Sequence, residues 1–144
     1  RDANYLLNVG PRGDGTIAPE AAAILQRVGR WYAAVRESLE GVEPASHLSA
    51  NRDVLLTRRG DVLYVHLARD PAADGVKLAP LGRMPRRATL LNDGRPVECA
   101  VELLPSEHAS RTPCLRLRRL PVNALASTVM VVKLEFDALP APRA

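Results

Sequence analysis

The fold is decided by the stretch DVLLTRRGDVLYVHL, residues 53–67. Two runs rich in leucine, valine and other strand-forming side chains flank the turn formers at residues 58–61. This arrangement predicts a β-hairpin. Because side chains alternate along a strand, Tyr64 and His66 share one face of the second run. We expect His66 to be partly buried and hydrogen-bonded there.

Five further runs of strand-forming residues follow toward the C-terminus. They occupy residues 76–81, 87–91, 97–103, 114–120 and 128–136. Turn formers separate them, among them Asp74-Gly75 and Asn92-Asp93-Gly94. Seven short strands at close spacing, with no helix between them, predict a mainly β fold built as an antiparallel β-sandwich.

Toward the N-terminus the apolar pattern changes to that of a helix. Pro19 suits the first helical position, and Glu20 meets the positive end of the helix dipole. Gly41 and Pro44 are expected to end the helix. Apolar side chains recur at helical spacing at Ala21, Ile24, Leu25, Val28, Trp31, Tyr32, Val35 and Leu39. This stripe predicts that Trp31 packs in a core rather than stacking on a ligand.

A short apolar run, residues 4–9, precedes the helix and stops at Gly10-Pro11. An apolar strand followed by a loop and a helix is typical of a parallel sheet covered on both faces, so the run predicts one buried strand. One strand and one helix cannot bury the helical stripe against each other. We therefore expect the partner surface of the helix to lie outside this unit, in a preceding part of a longer protein.

These N-terminal residues resemble a known family, the α-L-fucosidases of glycoside hydrolase family 29. The order and spacing of three segments are similar to the end of that family's catalytic barrel: NYLLNVGP at residues 4–11, DGTI at 14–17, and a helix from Pro-Glu to Gly-Arg-Trp at 19–31. Residues 87–94 and 131–136 look like its C-terminal β-sandwich. The resemblance implies a strand-helix remnant of a (β/α)8 barrel at residues 1–44 and a β-sandwich at 45–137. Residues 138–144 are expected to form a disordered tail.

The resemblance also implies a function, the retaining hydrolysis of terminal α-L-fucose by an Asp nucleophile and a Glu acid/base on earlier barrel strands. Retention needs two carboxyl groups about 5 Å apart, and no pair in this chain matches a family motif. We expect no catalytic residue here and no turnover by the chain alone. Loops after barrel strands face the active site, so Asn8 and Asp14 are candidates for the rim of the substrate site. Their alternative roles are to satisfy backbone groups and to form a turn.

The expected role of the chain is thus to close and buttress the catalytic barrel. Its expected partners are the remainder of that barrel, in the same parent chain, and the fucosylated glycan that the parent cleaves. No cofactor is expected. An alternative function is a non-catalytic carbohydrate-binding β-sandwich, although aromatic residues make up only 3% of the chain.

A third alternative is an interaction domain with an Arg-rich face. The net charge is +4, but Arg is spread along the whole chain, so we expect no nucleic-acid partner. No apolar run approaches the roughly 18 residues of a membrane span, and we expect no membrane partner.

Other reactive side chains do not form a recognisable site in the sequence. Cys99 and Cys114 form no Cys-x-x-Cys motif, and the three histidines share no ligand spacing, so no metal site is expected. A disulfide between the two cysteines is left open. Residues 106–108, Ser-Glu-His, lack the Gly-x-Ser-x-Gly elbow of a nucleophile.

Overall fold

A computed structural model describes residues 6–69, 71–103 and 112–140 of the 144-residue chain. Single 3-10 turns at Arg36–Ser38 and Ser46–Leu48 accompany one α-helix and eight strands in these ranges. The elements, in chain order, are α1 (Pro19–Val35), β1 (Glu43–Pro44), β2 (Leu55–Arg59), β3 (Val62–Leu67), β4 (Val76–Leu78), β5 (Arg87–Leu90), β6 (Glu98–Glu102), β7 (Cys114–Arg118) and β8 (Met130–Glu135).

The strands form two antiparallel sheets. The larger has the order β1-β2-β3-β8-β5, and the smaller has the order β4-β7-β6. The predicted hairpin is β2 and β3, and β3 also pairs with β8, so that Val65 lies between Leu56 and Val132. Each of the seven predicted strand runs contains a strand, and the prediction of a mainly β, antiparallel fold is confirmed.

The main core lies between the two sheets. Leu63 and Val65 of β3 contribute to it from the larger sheet, and Leu78, Leu115 and Leu117 contribute from the smaller sheet. All five are fully buried. Since side chains alternate along each strand, the opposite faces of the sheets point away from this core. The two sheets therefore pack as a sandwich.

The outer face of the larger sheet is covered by the end of α1. Val35 of the helix packs there against Tyr64 of β3 and Val131 of β8, and all three are almost completely buried. Burying apolar surface on both faces explains why β3 is buried at nearly every position. The helix, the larger sheet and the smaller sheet thus form three layers.

The helix starts at Pro19 as predicted, but it ends earlier than Gly41. The α-helix stops at Val35, and one 3-10 turn continues to Ser38. The Ser38 hydroxyl donates to the Val35 carbonyl at 2.6 Å, which satisfies a carbonyl left free at the helix end. Gly41 has a φ of 60°, so it turns the chain toward β1 where other residues would be strained.

Three expectations about the chain ends need correction. Residues 6–9 of the predicted N-terminal strand lie in no strand, and Leu6 is 82% exposed; residues 4 and 5 lie outside the described ranges. An extended strand needs a neighbour for its backbone hydrogen bonds, and the described part of the chain places none beside it. The β-sandwich was expected to begin at residue 45, but its larger sheet already includes β1, which pairs with β2.

The predicted disordered tail does not hold for residues 138–140. Leu139 is buried, and its backbone N–H donates to Asp61 Oδ1 at 2.8 Å. The Pro140 carbonyl accepts from Arg58 Nη1 at 2.6 Å. Both partners lie in or beside the β2–β3 hairpin, so this part of the tail closes the edge of the main core. Residues 141–144 lie outside the described ranges.

Candidate functional site

Two residues predicted for a substrate-site rim lie in and just before the loop that leads into α1. Asn8 precedes this loop and Asp14 lies in it, and both are exposed. The Asp14 carboxylate accepts from the Thr16 backbone N–H at 3.0 Å and from its hydroxyl at 2.7 Å. The hydroxyl bond is the main reason why the pKa of Asp14 is lowered. Asp14 therefore shapes this turn while staying accessible, and its place on a substrate-site rim stays a prediction.

Part of the apolar stripe of α1 stays exposed: Ile24, Val28 and Tyr32, which we call the docking stripe. These residues follow each other at i, i+4 and i+8, so they lie on one face. Their exposed fractions are 63%, 44% and 41%. Leu6 and Leu7, before the helix, are exposed as well. Toward the end of the same stripe, Val35 is buried against the sheet and Trp31 is partly buried there.

Trp31 anchors the middle of the helix to the last strand. Its indole Nε1 donates to the Val129 carbonyl at 2.8 Å, and its ring packs partly buried beside Val131. Asn92 Nδ2 donates to the same Val129 carbonyl at 3.0 Å, while Asn92 Oδ1 accepts from the Val131 backbone N–H at 2.9 Å. Asn92 and Trp31 thus converge on one backbone segment. The side of Trp31 that faces the sheet packs against the core, which confirms the predicted core position of this residue.

A second attachment joins the end of the helix to the same face of the sheet. Glu37 Oε2 accepts from Lys133 Nζ at 2.9 Å and from the Tyr64 hydroxyl at 3.3 Å. The hydrogen bond to Glu37 raises the pKa of Lys133. Burial, with a contribution from the Glu37 charge, raises the pKa of Tyr64. The pair fixes the 3-10 turn against β3 and β8.

A third attachment lies beside it and involves a buried histidine. The Thr57 hydroxyl donates to the Ser38 carbonyl at 2.7 Å and lies 3.0 Å from His66 Nε2. Since the single hydroxyl proton goes to Ser38, the histidine nitrogen donates to Thr57. His66 is 6% exposed, and this burial lowers its pKa. His66 is therefore buried and hydrogen-bonded, which confirms the predicted hydrogen bond, while the burial is more complete than predicted.

Sequence reasoning did not find these attachments. In the sequence, Asn92 is recognisable only as a turn former, and nothing marks Glu37. The hydrogen-bond partners that define these attachments lie far along the chain, for instance 98 residues from Trp31 in the case of Val129. The only sequence signal available was the Asn-Asp-Gly turn after β5, which places Asn92 at the end of a strand.

Between α1 and residues 125–129 lies a groove of about 470 Å³, which we call the flank groove and which shares Val28 with the docking stripe. Trp31 and Val129 form part of its wall, and Arg27 and Arg30 line it from the helix. Arg27 Nη2 donates to the Ser127 carbonyl at 3.2 Å. No acidic side chain of the described residues lines this groove. It is thus an apolar concavity with two cations.

The tightest Arg cluster lies elsewhere, on the outer face of the smaller sheet, where carboxylates face it. Arg116 lies 3.6 Å from Glu102, and Arg119 lies 3.2 Å from Glu98. Arg118 reaches both glutamates. Pairing with these glutamates largely neutralises the cluster.

The cysteines and histidines are dispersed in the structure. Cys99 and Cys114 are both free. Cys99 pairs with Leu117, three residues away from Cys114 on β7, which separates the two by roughly 10 Å along the strand, too far for a disulfide. Among residues 6–69, 71–103 and 112–140, no group of three potential ligands could hold a metal ion. The Ser-Glu-His sequence at residues 106–108 lies outside those ranges.

Within the described ranges, no helix combines the length and the apolar character needed to cross a bilayer.

Comparison with known sequences identifies relatives. The sequence model of the family Alpha-L-fucosidase matches residues 1–37. Tissue alpha-L-fucosidase of Bos taurus is 33% identical over 89 residues, which are 61% of this chain and 19% of the bovine protein. The chain thus spans about a fifth of the length of that curated relative.

Solved structures show the same fold. An α-L-fucosidase from Vibrio sp. strain EJY3 matches 94% of this chain with a TM-score of 0.68 at 20% identity. Alpha-L-fucosidase isoenzyme 1 from Paenibacillus thiaminolyticus matches 92% with a TM-score of 0.68 at 27% identity. The chain covers 23% and 30% of these two proteins. The resemblance expected from the N-terminal segments is confirmed.

Proposed function

We propose that this chain, a relative of the α-L-fucosidases of glycoside hydrolase family 29, is the C-terminal portion of such an enzyme and closes and buttresses its catalytic barrel. The observation that carries the proposal is the partial cover of the apolar stripe of α1. Trp31, together with Glu37 and Ser38 just beyond the helix, fastens the end of this stripe to the sandwich. The docking stripe, earlier on the same face, stays exposed in the described residues.

Such a helix is suited to join two bodies. The attachments to β3 and β8 make the end of α1 part of the sandwich. The docking stripe offers the apolar contact that a helix on the outside of a (β/α)8 barrel makes with its neighbours. Exposed apolar rows of this kind mark surfaces that another protein segment covers. We infer that the occupant is the remainder of the barrel in the parent chain, and that residues 1–44 supply its last helix and its last strand, the strand forming only where neighbouring barrel strands pair with it.

The catalytic carboxylates belong, in this proposal, to the earlier part of the barrel. Retaining hydrolysis needs a nucleophile and an acid/base about 5 Å apart, and no carboxylate pair of this chain matches the family's motifs. The parent would cleave a fucosylated glycan. Asn8 and Asp14, exposed in and before the loop that leads into α1, would lie at the rim of its substrate site. The chain alone would not turn over substrate.

The test uses the complete parent enzyme with one substitution in the docking stripe. Ile24→Asp places a carboxylate at the centre of the proposed contact, and we expect it to lower both the melting temperature and the rate of 4-nitrophenyl α-L-fucoside hydrolysis. Burying an unpaired charge destabilises by several kcal/mol. The matched control is Gln26→Asp, which introduces the same charge at an exposed polar position of α1.

The same two variants of the 144-residue chain complete the experiment. Ile24 is exposed in this chain, so we expect Ile24→Asp to leave its unfolding midpoint unchanged. A parent enzyme that tolerates Ile24→Asp as well as Gln26→Asp would contradict the proposal. Hydrolysis by the chain alone would contradict the assignment of the catalytic carboxylates to the barrel.

A further inference from the structure

We propose that the flank groove binds an anionic sugar residue, one that carries a carboxylate or a sulfate ester. The groove measures about 470 Å³, within the range of small-molecule sites. Its lining is mostly apolar, with the partly buried indole of Trp31 in the wall. An apolar wall with an aromatic ring suits the C–H face of a sugar ring. The lining of the groove therefore fits a ligand with an apolar ring face.

The charges in the groove indicate that the ligand carries an anionic group. Arg27 and Arg30 are three positions apart on α1 and lie on the same side of the helix, where like charges repel each other. No described acidic side chain lines the groove to compensate them. A bound anion would remove the repulsion, and guanidinium groups bind carboxylates and sulfates through paired hydrogen bonds.

The guanidinium groups of Arg27 and Arg30 differ in the contacts they already make. Arg27 is held in place by its hydrogen bond to the Ser127 carbonyl. Arg30 makes no hydrogen bond or ion pair with any described residue. The Arg cluster on the smaller sheet shows the contrast, because its guanidinium groups already have Glu98 and Glu102 as partners. The flank groove is thus a better anion site than the most Arg-rich surface.

Trp31 also attaches the helix, so a ligand against it would contact the junction between α1 and the sandwich. Its Nε1 is already occupied by the Val129 carbonyl. The ligand would therefore use the ring and not the indole N–H. The choice of a sugar rests on the proposed function in a glycosidase, whereas the anion preference rests on the groove alone.

The experiment titrates the full 144-residue chain with sodium D-glucuronate at constant ionic strength. Trp31 is the only tryptophan, so its fluorescence reports on the groove, and calorimetry provides a second readout. Neutral D-glucose and L-fucose, and sodium sulfate, are the comparison ligands. We expect saturable binding of glucuronate at millimolar concentration, with no saturation by the neutral sugars or by sulfate.

The key variant is Arg30→Gln, which removes the free guanidinium and is expected to weaken glucuronate binding about tenfold. Arg52→Gln, an exposed position away from the groove, is expected to bind as the unmodified chain does. Equal binding of neutral sugars or of bare sulfate, or an unchanged affinity in Arg30→Gln, would overturn the proposal. Because these measurements use the 144-residue chain without the remainder of the barrel, their failure is distinguishable from failure of the docking stripe.

Discussion

Replacing Asn92 by alanine tests how the last strand is held beneath the helix. Asn92 Oδ1 is the acceptor for the Val131 backbone N–H at 2.9 Å, and Val131 is completely buried. Alanine would leave this donor unsatisfied, which costs about 1–3 kcal/mol. The second bond of Asn92, to the Val129 carbonyl, matters less because Trp31 also donates there. We expect a loss of about 2 kcal/mol of unfolding free energy.

The assay is urea unfolding followed by Trp31 fluorescence and far-ultraviolet circular dichroism. With a denaturant dependence of about 2 kcal/mol per molar urea, the midpoint should fall by about 1 M. Asn92→Asp keeps an acceptor for Val131 and loses only the donor, so its midpoint should lie between those of alanine and asparagine. Asn123→Ala, at an exposed loop position, serves as the control. A midpoint for Asn92→Ala equal to that of the control would refute the reasoning.

Three further predictions concern titratable groups. The pKa of His66 lies below 6.5 in the folded chain. As pH falls from 6.5, the unfolded chain therefore takes up the proton first, and the free energy of unfolding should decrease. In urea titrations His66→Gln should flatten this pH dependence, whereas the control His47→Gln should not. Glu37→Gln should lower the unfolding free energy by about 0.5–1 kcal/mol, a small loss because its ion pair with Lys133 is partly exposed. Glu43→Gln is the control, and equal urea midpoints for the two variants would contradict the contact. Burial raises the pKa of Cys99 from 9.0 to about 11, which lowers the fraction of reactive thiolate. At pH 8 Ellman's reagent should therefore react with Cys99 about 100-fold more slowly in the folded chain than in the chain unfolded by urea. Equal rates in the two states would count against the burial of Cys99.

The sandwich was predictable because its signals are local. The alternation around Tyr64 and the turn at Gly60 specify a hairpin within fifteen residues, and the later strands follow the same pattern. Pro19 likewise marked the helix start correctly. The N-terminal strand failed for a physical reason. An apolar run forms a strand only where neighbours pair with it, and the described residues place none beside residues 6–9.

The sequence by itself determined the strand runs, the start of the helix, its one-sided apolar stripe and the resemblance to α-L-fucosidases. Only the tertiary structure decided which part of that stripe is covered. The strand order brings β5 and β8 side by side, and this places Asn92 and Trp31 on one carbonyl of Val129. Such convergence depends on long-range strand pairing, which no local periodicity encodes. For the same reason the two cations of the flank groove, close in sequence on α1, acquire their apolar wall only when residues 125–129 fold against the helix.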